Sequence, residues 1–304
     1  MNDSKIQVCV IGGASVDIFG IADKKINVFD SNPGKVTYSF GGVGHNIANN
    51  LSKLGISVEL LCGLGKDMNA KRIMENCRQE NIGLNHCYFS ELPSATYLCI
   101  NQPDGDIYAA VADMKIHENI SVDYLNEELA FINSCAIAVI DTNLSQEACD
   151  FLFENLTCAI YVDPVSVAKA AKVKNYLSEI AVIKPNYPEA KTILNKELPP
   201  TALAAEFIRS GVKEVYLTLG AEGAIGVNYK ESCQFPVFPG NTLNTTGCGD
   251  AFLAGVIYGA LKGKDLVTKT NYGLAAAGIC SRSLDTVSEL LNEEELLKLV
   301  EERS

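Results

Sequence analysis

Short, almost continuously apolar runs alternate with amphipathic segments along most of the chain. The apolar runs are "IQVCVIGG", "SVELLCGLG", "CAIAVID", "AIYVDP", "AVIKPN" and "EVYLTLG", and such runs are typical of strands that are covered on both faces. Apolar residues recur at helical spacing in the intervening segments "GHNIANNLSKLG", "AKRIMENCRQENIG", "SQEACDFLFENL" and "PEAKTILNK". This alternation predicts an α/β fold with a doubly wound, mostly parallel sheet and helices on both of its faces.

Two segments depart from this pattern. Residues 17–41 and 95–112 alternate polar and apolar side chains around the turn sequences "SNPG" and "PDGD", which predicts two antiparallel hairpins. Because both leave and return near the ends of predicted core strands, we expect them to pair into a small β-sheet lid over the carboxyl edge of the main sheet, where α/β proteins bind ligands. The alternative is two unrelated surface hairpins. No repeat or linker is evident, so residues 1–304 are predicted to form a single α/β domain with these insertions.

The composition narrows the class of partner. Hydrophobic residues make up 47% of the 304 positions, enough for a sizeable core, and the formal net charge is −12. A chain this acidic repels nucleic acid and anionic membrane surfaces, so we expect a small-molecule ligand and neither of those partners. No apolar run reaches the length of about 20 residues that a membrane span needs, and cysteines within apolar runs, such as Cys9 and Cys135, indicate a reducing compartment. We therefore expect a cytoplasmic protein.

The glycine-rich turns do not fit the common phosphate-binding motifs. No GxxxxGK[ST] sequence is present, and "GGVGHNI" and "GLGKDMN" do not complete GxGxxG, because Ile47 and Met68 occupy the last glycine position. A P-loop NTPase and a standard Rossmann dehydrogenase are therefore disfavoured.

The stretch "NTTGCGDAFLAGV" places glycines directly before a predicted helix. Gly247, Cys248 and Gly249 allow the backbone to approach an anion closely, and N–H groups at the helix start point towards it. Asp250 then lies in the first turn. One interpretation is that its carboxylate complements the helix dipole. The other is that it is the general base for a hydroxyl that attacks a phosphoryl group held by those N–H groups.

This stretch resembles the C-terminal signature of the ribokinase-like (PfkB-type) sugar and nucleoside kinases, D-T-x-G-A-G-D, from Asn244 to Asp250. Their N-terminal signature, G-G-x-x-x-N, is matched from Gly41 to Asn46. "KPNYPEA" is similar to the family's N-x-x-E element, and "LTLGAEGA" to its T-x-G-x-x-G nucleotide loop. Two signatures in their proper order are more specific than either alone, and the resemblance covers essentially the whole chain.

Within this family, four stretches look most like the pseudouridine kinases: "NPGKVTYSFGGVGHNIANNLSKLG", "SATYLCINQPDGDIYAAVADM", "IDTNLSQEA" and "VDPVSVAKAAKVK". The resemblance implies phosphoryl transfer from ATP to the ribose 5′-hydroxyl of pseudouridine, with Asp250 as general base and the N–H groups of Gly247, Cys248 and Gly249 as anion hole. Two alternatives are another kinase of this fold, acting on ribose, fructose, adenosine or uridine, and a nucleoside-binding protein without transfer activity. The intact Asp250 and its glycines argue against the second.

The resemblance also implies contacts to the ribose. The residues expected to bind it are Asp17, Gly41, Gly42 and Asn46. A carboxylate only accepts hydrogen bonds and an amide both donates and accepts, so Asp17 and Asn46 suit neighbouring hydroxyl groups. The structural alternatives are a strand-end cap at Asp17, a turn at Gly42 and a helix N-terminal residue at Asn46.

For the nucleotide, the resemblance implies that ATP is lined by Asn186, Thr218, Gly220 and Gly223. It further implies that Glu189 holds water on Mg²⁺, an ion that keeps most of its own waters. Asn244 stands where the family usually has an aspartate that, in several members, contributes to a monovalent cation site, so K⁺ activation stays open. Lids in this family often pair between two chains, and we therefore expect a homodimer through the lid.

The nucleobase contacts are predicted from position along the chain. Asn143 and Lys169 follow predicted strands, at the edge of the sheet where ligands bind, and we expect both to donate to uracil carbonyls. Lys169 fits a solvated helix residue equally well. His45 stands where pseudouridine kinases often have arginine, so a ribose or phosphate contact at that position also stays open.

Overall fold

A computed structural model describes residues 6–303 of the chain, so residues 1–5 and 304 of the predicted domain lie outside the described part. The strands in this part are β1 (Val8–Ile11), β2 (Ser15–Ala22), β3 (Gly34–Gly41), β4 (Val58–Leu61), β5 (Gly63–Leu64), β6 (Tyr88–Phe89), β7 (Thr96–Asn101), β8 (Ile107–Asp113), β9 (Ile137–Asp141), β10 (Ala159–Asp163), β11 (Val182–Ile183), β12 (Glu214–Thr218), β13 (Ala224–Asn228) and β14 (Ser232–Phe235). The α-helices are α1 (Val43–Lys53), α2 (Met68–Gln79), α3 (Val122–Ser134), α4 (Gln146–Asn155), α5 (Val167–Ala170), α6 (Tyr187–Leu194), α7 (Pro200–Arg209), α8 (Cys248–Leu261), α9 (Leu266–Ser281) and α10 (Glu293–Glu301).

Eight strands form the main sheet, in the order β14-β13-β12-β11-β10-β9-β1-β4. All neighbours from β4 to β12 pair in parallel, whereas β13 and β14 add an antiparallel edge. The mostly parallel sheet predicted from the sequence is confirmed. The antiparallel edge was not predicted; it arises because a 3₁₀ turn, Gly220–Glu222, reverses the chain directly after β12.

Helices cover both faces of the main sheet, as predicted. Along β1, Val8 and Val10 belong to one buried apolar cluster, and Cys9 and Ile11 belong to another, because successive side chains of a strand point to opposite faces. The first cluster includes side chains of α1, α8 and α9, and the second includes side chains of α3, α4, α6 and α7. Burial on both faces explains why these strands appear in the sequence as uninterrupted apolar runs.

The two predicted hairpins are present and pair with each other. β2 pairs with β3, and β7 with β8, in antiparallel fashion, while β2 and β7 are parallel neighbours with Val16 opposite Thr96. The resulting four-stranded sheet has the order β3-β2-β7-β8. Two unrelated surface hairpins are therefore excluded. The strands extend slightly beyond the predicted segments, from Ser15 in β2 to Asp113 in β8.

The eleven cysteines are free thiols within the described part, and most of them are buried. No group of three or more His, Cys, Asp or Glu side chains among residues 6–303 is arranged to hold a metal ion. Between the same limits, no helix has both the length and the apolar character that crossing a bilayer requires.

Candidate active site

Neighbouring strands of the main sheet end at glycine, aspartate or lysine residues along one edge of the sheet. Gly13 follows β1, Asp141 ends β9, Asp163 ends β10 and Lys184 follows β11. Asp141 and Asp163 are direct partners in the register of β9 and β10. Because these strands are parallel neighbours, their carboxyl ends converge at the edge where α/β proteins bind ligands.

Asp250 lies close to this edge, in the first turn of α8. The helix begins after Gly247, whose φ of 82° is in the left-handed region that glycine adopts without strain. The Asp250 carboxyl is buried, and its Oδ2 accepts a 2.8 Å hydrogen bond from Asn46 Nδ2 in α1. The two glycine-rich motifs that are far apart in the sequence therefore meet at one carboxylate.

The electrostatic surroundings of Asp250 suit a proton acceptor. Burial, followed by the negative charge of Asp163, raises the pKa of Asp250 to about 7, while the ammonium of Lys184 and the hydrogen bond from Asn46 act in the opposite direction. Asp141 adds a smaller upward contribution to this pKa. A carboxyl group with a pKa near neutrality can both take and release a proton in the physiological range.

Lys184 is a candidate active-site residue that the sequence analysis missed. Its ammonium is buried and lies 2.8 Å from Asp163 Oδ2. Burial alone lowers the pKa of Lys184, but the carboxylates of Asp163 and Asp250 more than offset it and raise the pKa above its usual value. A Cβ placed on Gly249 would be 2.8 Å from Lys184 Nζ, so the ammonium lies directly against the glycine loop. The signal in the sequence was a lysine at the end of the apolar run "AVIK".

The loop before α8 accepts only small residues where it packs. A Cβ on Gly247 would lie 2.0 Å from the carbonyl oxygen of Thr286, which excludes any side chain there. The predicted anion hole consists of the N–H groups of Gly247, Cys248 and Gly249. Of these, the Cys248 N–H already donates to the Thr245 carbonyl at 3.3 Å, a long bond that an anion competes with readily.

The predicted ribose residues lie together beside Asn46. Asp17 is in β2, where its Oδ1 accepts from Ser15 Oγ at 2.9 Å and burial raises the pKa of its carboxyl. A Cβ on Gly41, in β3, would be 2.4 Å from Asp17 Oδ2. Gly42 precedes α1 with a φ of 95°. Glycine is therefore required at Gly41, where a side chain would collide with the half-buried Asp17 carboxylate, and at Gly42, where φ is positive.

Asp141 is a second residue that the sequence analysis missed, and its carboxylate connects three backbone segments of this region. Its carboxylate accepts hydrogen bonds from the backbone N–H groups of Gly13, Gly44 and Asn143, at 2.8, 2.8 and 2.9 Å. Burial raises the pKa of Asp141, and these hydrogen bonds counteract the rise. One side chain therefore joins the end of β1, the start of α1 and the loop after β9. Its signal was an acidic residue closing the apolar run "CAIAVID".

The two predicted base-contacting residues contact each other. Asn143 is buried, and its Oδ1 accepts a hydrogen bond from Lys169 Nζ in α5. A Cβ on Gly13 would be 3.1 Å from both Asn143 Nδ2 and His117 Nε2. His117 is therefore a third polar residue at this place, and the sequence analysis did not single it out because it lies in no periodic segment.

The predicted nucleotide residues come from two adjacent loops. Asn186 and Thr218 form an isolated parallel bridge, which brings the start of α6 next to the end of β12. Gly220 and Gly223 have φ values of 59° and 97°, and a Cβ on Gly223 would be 1.9 Å from the carbonyl oxygen of Phe235. The structure thus places Asn186 just after β11, Thr218 at the end of β12, and Gly220 and Gly223 in the turn between β12 and β13.

Comparison with known proteins identifies the family. From residue 5 to residue 292 the chain matches the pfkB family of carbohydrate kinases. It belongs to that family. A pseudouridine kinase of Escherichia coli (strain K12) is 32% identical over 262 residues, which are 83% of this chain and 83% of that protein.

Solved structures agree on the fold. A carbohydrate kinase from Agrobacterium tumefaciens superposes with a TM-score of 0.88 at 24% identity, covering 97% of each chain. A ribokinase from Thermotoga maritima superposes with a TM-score of 0.86 at 20% identity, covering 97% of this chain and 99% of the ribokinase. The predicted ribokinase-like fold and family are confirmed, and the protein is a phosphotransferase of the PfkB carbohydrate kinase family.

Glu189, the residue predicted to act on the metal of this kinase, has a structural role as well. Asn186 Oδ1 accepts from Glu189 N, and Glu189 Oε2 accepts from Asn186 N, both at 2.9 Å, which is a capping box at the start of α6. Burial raises the pKa of Glu189, while the Asn186 N–H and the Lys184 charge counteract this rise. The hydrogen bond from the Asn186 N–H occupies Oε2 and leaves Oε1 for another partner.

Two positions depart from the family pattern. The Asn244 amide bridges two segments: Nδ2 donates to the Leu284 carbonyl at 2.9 Å, and Oδ1 accepts from Thr246 N at 2.9 Å. His45 is buried in α1, where Nε2 lies 2.8 Å from Asn76 Oδ1 and burial lowers the pKa of the ring. The Asn244 amide is thus engaged by protein groups at both ends, whereas His45 is engaged through Nε2 and its buried Nδ1 has no hydrogen-bond partner among the described residues.

Proposed function

We propose that the protein phosphorylates the ribose 5′-hydroxyl of pseudouridine with ATP as donor. The observation that supports the proposal is the hydrogen bond between Asn46 and Asp250 beside the glycine loop, because a buried carboxylate, an amide and a glycine-rich helix start lie together there. The choice of pseudouridine is supported by the relative of that activity at 32% identity and by the buried polar pair Asn143 and Lys169 at the ligand edge.

In the proposed reaction, the 5′-oxygen attacks the γ-phosphorus of ATP while Asp250 takes the hydroxyl proton. The bond from the γ-phosphorus to the β,γ-bridging oxygen breaks, and ADP leaves with the electron pair. N–H groups of Gly247, Cys248 and Gly249 stabilise negative charge on the transferred group. Lys184, whose ammonium lies against Gly249, adds a positive charge at the same place.

The ribose hydroxyl groups would be bound by hydrogen-bond acceptors of Asn46 and Asp17. Asn46 Oδ1 is buried and has no hydrogen-bond partner among the described residues, although Nδ2 of the same amide is bound to Asp250. A buried acceptor without a partner is unfavourable, and a sugar hydroxyl would satisfy it. Asp17 would accept from a neighbouring hydroxyl, while Gly41 keeps the space beside its carboxylate open and Gly42 lets the backbone pack closely on Gly13.

The residues present fit ATP and a divalent metal, which kinases of this family generally use. Asn186, Thr218, Gly220 and Gly223 would line the nucleotide. Glu189 Oε1 would hold a water of Mg²⁺, and Mg²⁺ suits this donor because it is bound through few carboxylates and retains its waters. When bound, the metal neutralises charge on the phosphates. We do not assign K⁺ a role, since the Asn244 amide already bridges Thr246 and Leu284.

We further propose that the four-stranded sheet is a lid and the contact surface of a homodimer. The register places Tyr38, Ile18, Leu98 and Val111 in one row across the four strands. Three of these side chains, Tyr38, Leu98 and Val111, are 54%, 42% and 66% exposed. A contiguous exposed apolar face of this kind marks an interaction surface.

A coupled assay of ADP release tests the substrate. Pseudouridine, uridine, adenosine, ribose and fructose are each offered with ATP and Mg²⁺, and pseudouridine is expected to give the highest kcat/KM, followed by uridine. Both have the same ribose, so the difference must come from polar contacts to the base. A clear preference for ribose or fructose over every nucleoside would instead make the protein a sugar kinase of the same family.

A further inference from the structure

His117 has a buried ring nitrogen that the protein leaves unpaired. The residue lies in the 3₁₀ turn Lys115–Asn119, which follows β8 of the small sheet. Its side chain is only 2% exposed, and Nδ1 has no hydrogen-bond partner among residues 6–303. Unpaired buried polar atoms destabilise a fold and need an explanation. Nδ1 itself is enclosed by protein, so the nitrogen that can meet a ligand at this edge is the other one, Nε2, which lies against Gly13.

The position of His117 next to Gly13 places the His117 ring on the side of the site where the nucleobase is expected. A Cβ on Gly13 would be 3.1 Å from His117 Nε2. On another side of the same residue, a Cβ on Gly42 would be 2.5 Å from the Gly13 carbonyl oxygen. Gly13 therefore lies between the ribose residue Gly42 and the pair His117 and Asn143. A nucleoside whose ribose contacts Gly42 would extend its base towards that pair.

Lys169 fixes which way Asn143 presents its amide. An ammonium group only donates hydrogen bonds, so the amide oxygen must face Lys169, as observed. The NH₂ group of Asn143 therefore faces Gly13 and His117, from which it can donate to a carbonyl of the base. Lys169 and the Asn143 NH₂ group can therefore both donate to carbonyl oxygens of a base. Neither can accept a hydrogen bond from an N–H group of that base.

The ring of His117 supplies the missing acceptor. Burial, and to a lesser degree the charge of Lys169, lowers the pKa of His117 to about 4. The imidazole is therefore neutral near pH 7, and a neutral imidazole keeps one nitrogen as a hydrogen-bond acceptor. We assign the acceptor to Nε2, the nitrogen beside Gly13 and the Asn143 NH₂ group, and the ring proton to the enclosed Nδ1.

We propose that His117 determines base specificity by accepting a hydrogen bond from a ring N–H of a C-glycosidic uracil, while Asn143 and Lys169 donate to its carbonyls. This inference rests on the proposed function. In pseudouridine the sugar is attached through carbon, so N1 keeps its hydrogen; in uridine N1 carries the sugar. An acceptor placed at N1–H separates the two nucleosides, whereas donors to carbonyls do not.

The test compares kcat/KM for pseudouridine, 1-methylpseudouridine and uridine in the wild type, His117→Phe and His117→Gln. The wild type should prefer pseudouridine over each of the other two by roughly tenfold or more, as expected for one buried hydrogen bond. In His117→Phe both preferences should approach one, because only the pseudouridine value falls. His117→Gln, which keeps an acceptor oxygen, should retain part of them. His86→Gln is the matched control, since His86 stacks on Phe131 and contacts Glu128 elsewhere.

The outcomes separate this inference from the proposed function. If the wild type favours pseudouridine and His117→Phe keeps the wild-type ratios, the inference is wrong while the proposed function stands. If all substrates lose activity equally, His117 is structural and the inference is again wrong. If the wild type prefers a free sugar or adenosine, both proposals are wrong. Should His117→Phe not fold, the same ratios in His117→Gln decide: wild-type values overturn the inference, and reduced values support it.

Discussion

Asn46 and Asp250 are 204 positions apart in the sequence, yet Asn46 Nδ2 donates a 2.8 Å hydrogen bond to Asp250 Oδ2. The bond orients the amide, so the unpaired Oδ1 of Asn46 must face away from the carboxylate. A ribose hydroxyl that donates to Oδ1 therefore brings its sugar next to Asp250. The same contact that links α1 to α8 thus aligns an acceptor for the substrate with the proposed base.

Replacing Asp250 with Asn separates catalysis from helix stabilisation. The change preserves size and polarity but removes the base, so kcat should fall by roughly 10²-fold or more while the nucleoside and ATP still bind. The folded-state pKa of about 7 lies above the ordinary value for Asp, so ionisation of Asp250 opposes folding at pH values above that ordinary value. Asp250→Asn should therefore keep or raise the melting temperature.

A helix-dipole carboxylate would behave in the opposite way. Its loss would cost about 0.3–1 kcal/mol of stability and leave turnover nearly intact. Measuring kcat and melting temperature on one preparation of Asp250→Asn distinguishes the two interpretations. Near-normal turnover with a lowered melting temperature would show that Asp250 stabilises the helix and does not act on the substrate.

The pH dependence of the wild type should report the same group. Because Asp250 must be ionised to accept a proton and its pKa is raised to about 7, kcat/KM should fall about tenfold for each pH unit below that value and level off above it. A profile of kcat/KM from pH 5 to pH 9 measures this limb. The residual activity of Asp250→Asn should lack it; a flat wild-type profile across neutrality would contradict the assignment of the base.

The sequence was sufficient for the parts of the site that lie in contiguous motifs. Asn46 and Asp250 were both assigned from their glycine-rich signatures, and the structure joins them. The paired hairpins were also predictable, because a polar and apolar alternation around a turn is a local property. Each of these predictions depends on residues that are neighbours in the chain.

Lys184, Asp163 and Asp141 were missed for a different reason. Each is a single polar residue at or just after the end of an apolar strand, and nothing nearby shows that it is more than a strand terminus. Their proximity depends on the order β11-β10-β9-β1, and alternation of strands and helices does not specify that order. The site chemistry of these residues therefore emerges only after the sheet is assembled.

Replacing Lys184 with Met tests its role in phosphoryl transfer. The single change would leave the buried Asp163 carboxylate unpaired, which is strongly destabilising, so it is combined with Asp163→Asn. In the double variant kcat should fall by roughly 10²- to 10³-fold, as for loss of a group that stabilises transition-state charge, with little change in KM for the nucleoside. The exposed Lys174→Met is the control. An unchanged kcat in a folded double variant would remove Lys184 from the reaction.

Because residue 244 is asparagine, we expect the kinase activity not to depend on K⁺. The Asn244 amide donates to the Leu284 carbonyl, whereas an aspartate has no N–H to donate and its charge would repel that carbonyl unless a cation lay between them. Exchanging K⁺ for choline at constant ionic strength should therefore leave kcat/KM nearly unchanged. Asn244→Asp should acquire a K⁺ requirement. A large loss of wild-type activity without K⁺ would show that a cation binds here despite the amide.

If the exposed apolar face of the four-stranded sheet forms a dimer contact, one charged side chain introduced on that face should disrupt the dimer. Leu98 and Val111 are direct cross-strand partners on β7 and β8, and their side chains are 42% and 66% exposed. If this face packs against its copy, Val111→Lys would bury an ammonium group in an apolar contact, which is costly. Sedimentation velocity should show a dimer for the wild type and a monomer for Val111→Lys. Tyr229→Lys, at a residue 77% exposed beyond β13, should remain dimeric. A monomeric wild type, or a dimer that Val111→Lys leaves intact, would place the contact elsewhere.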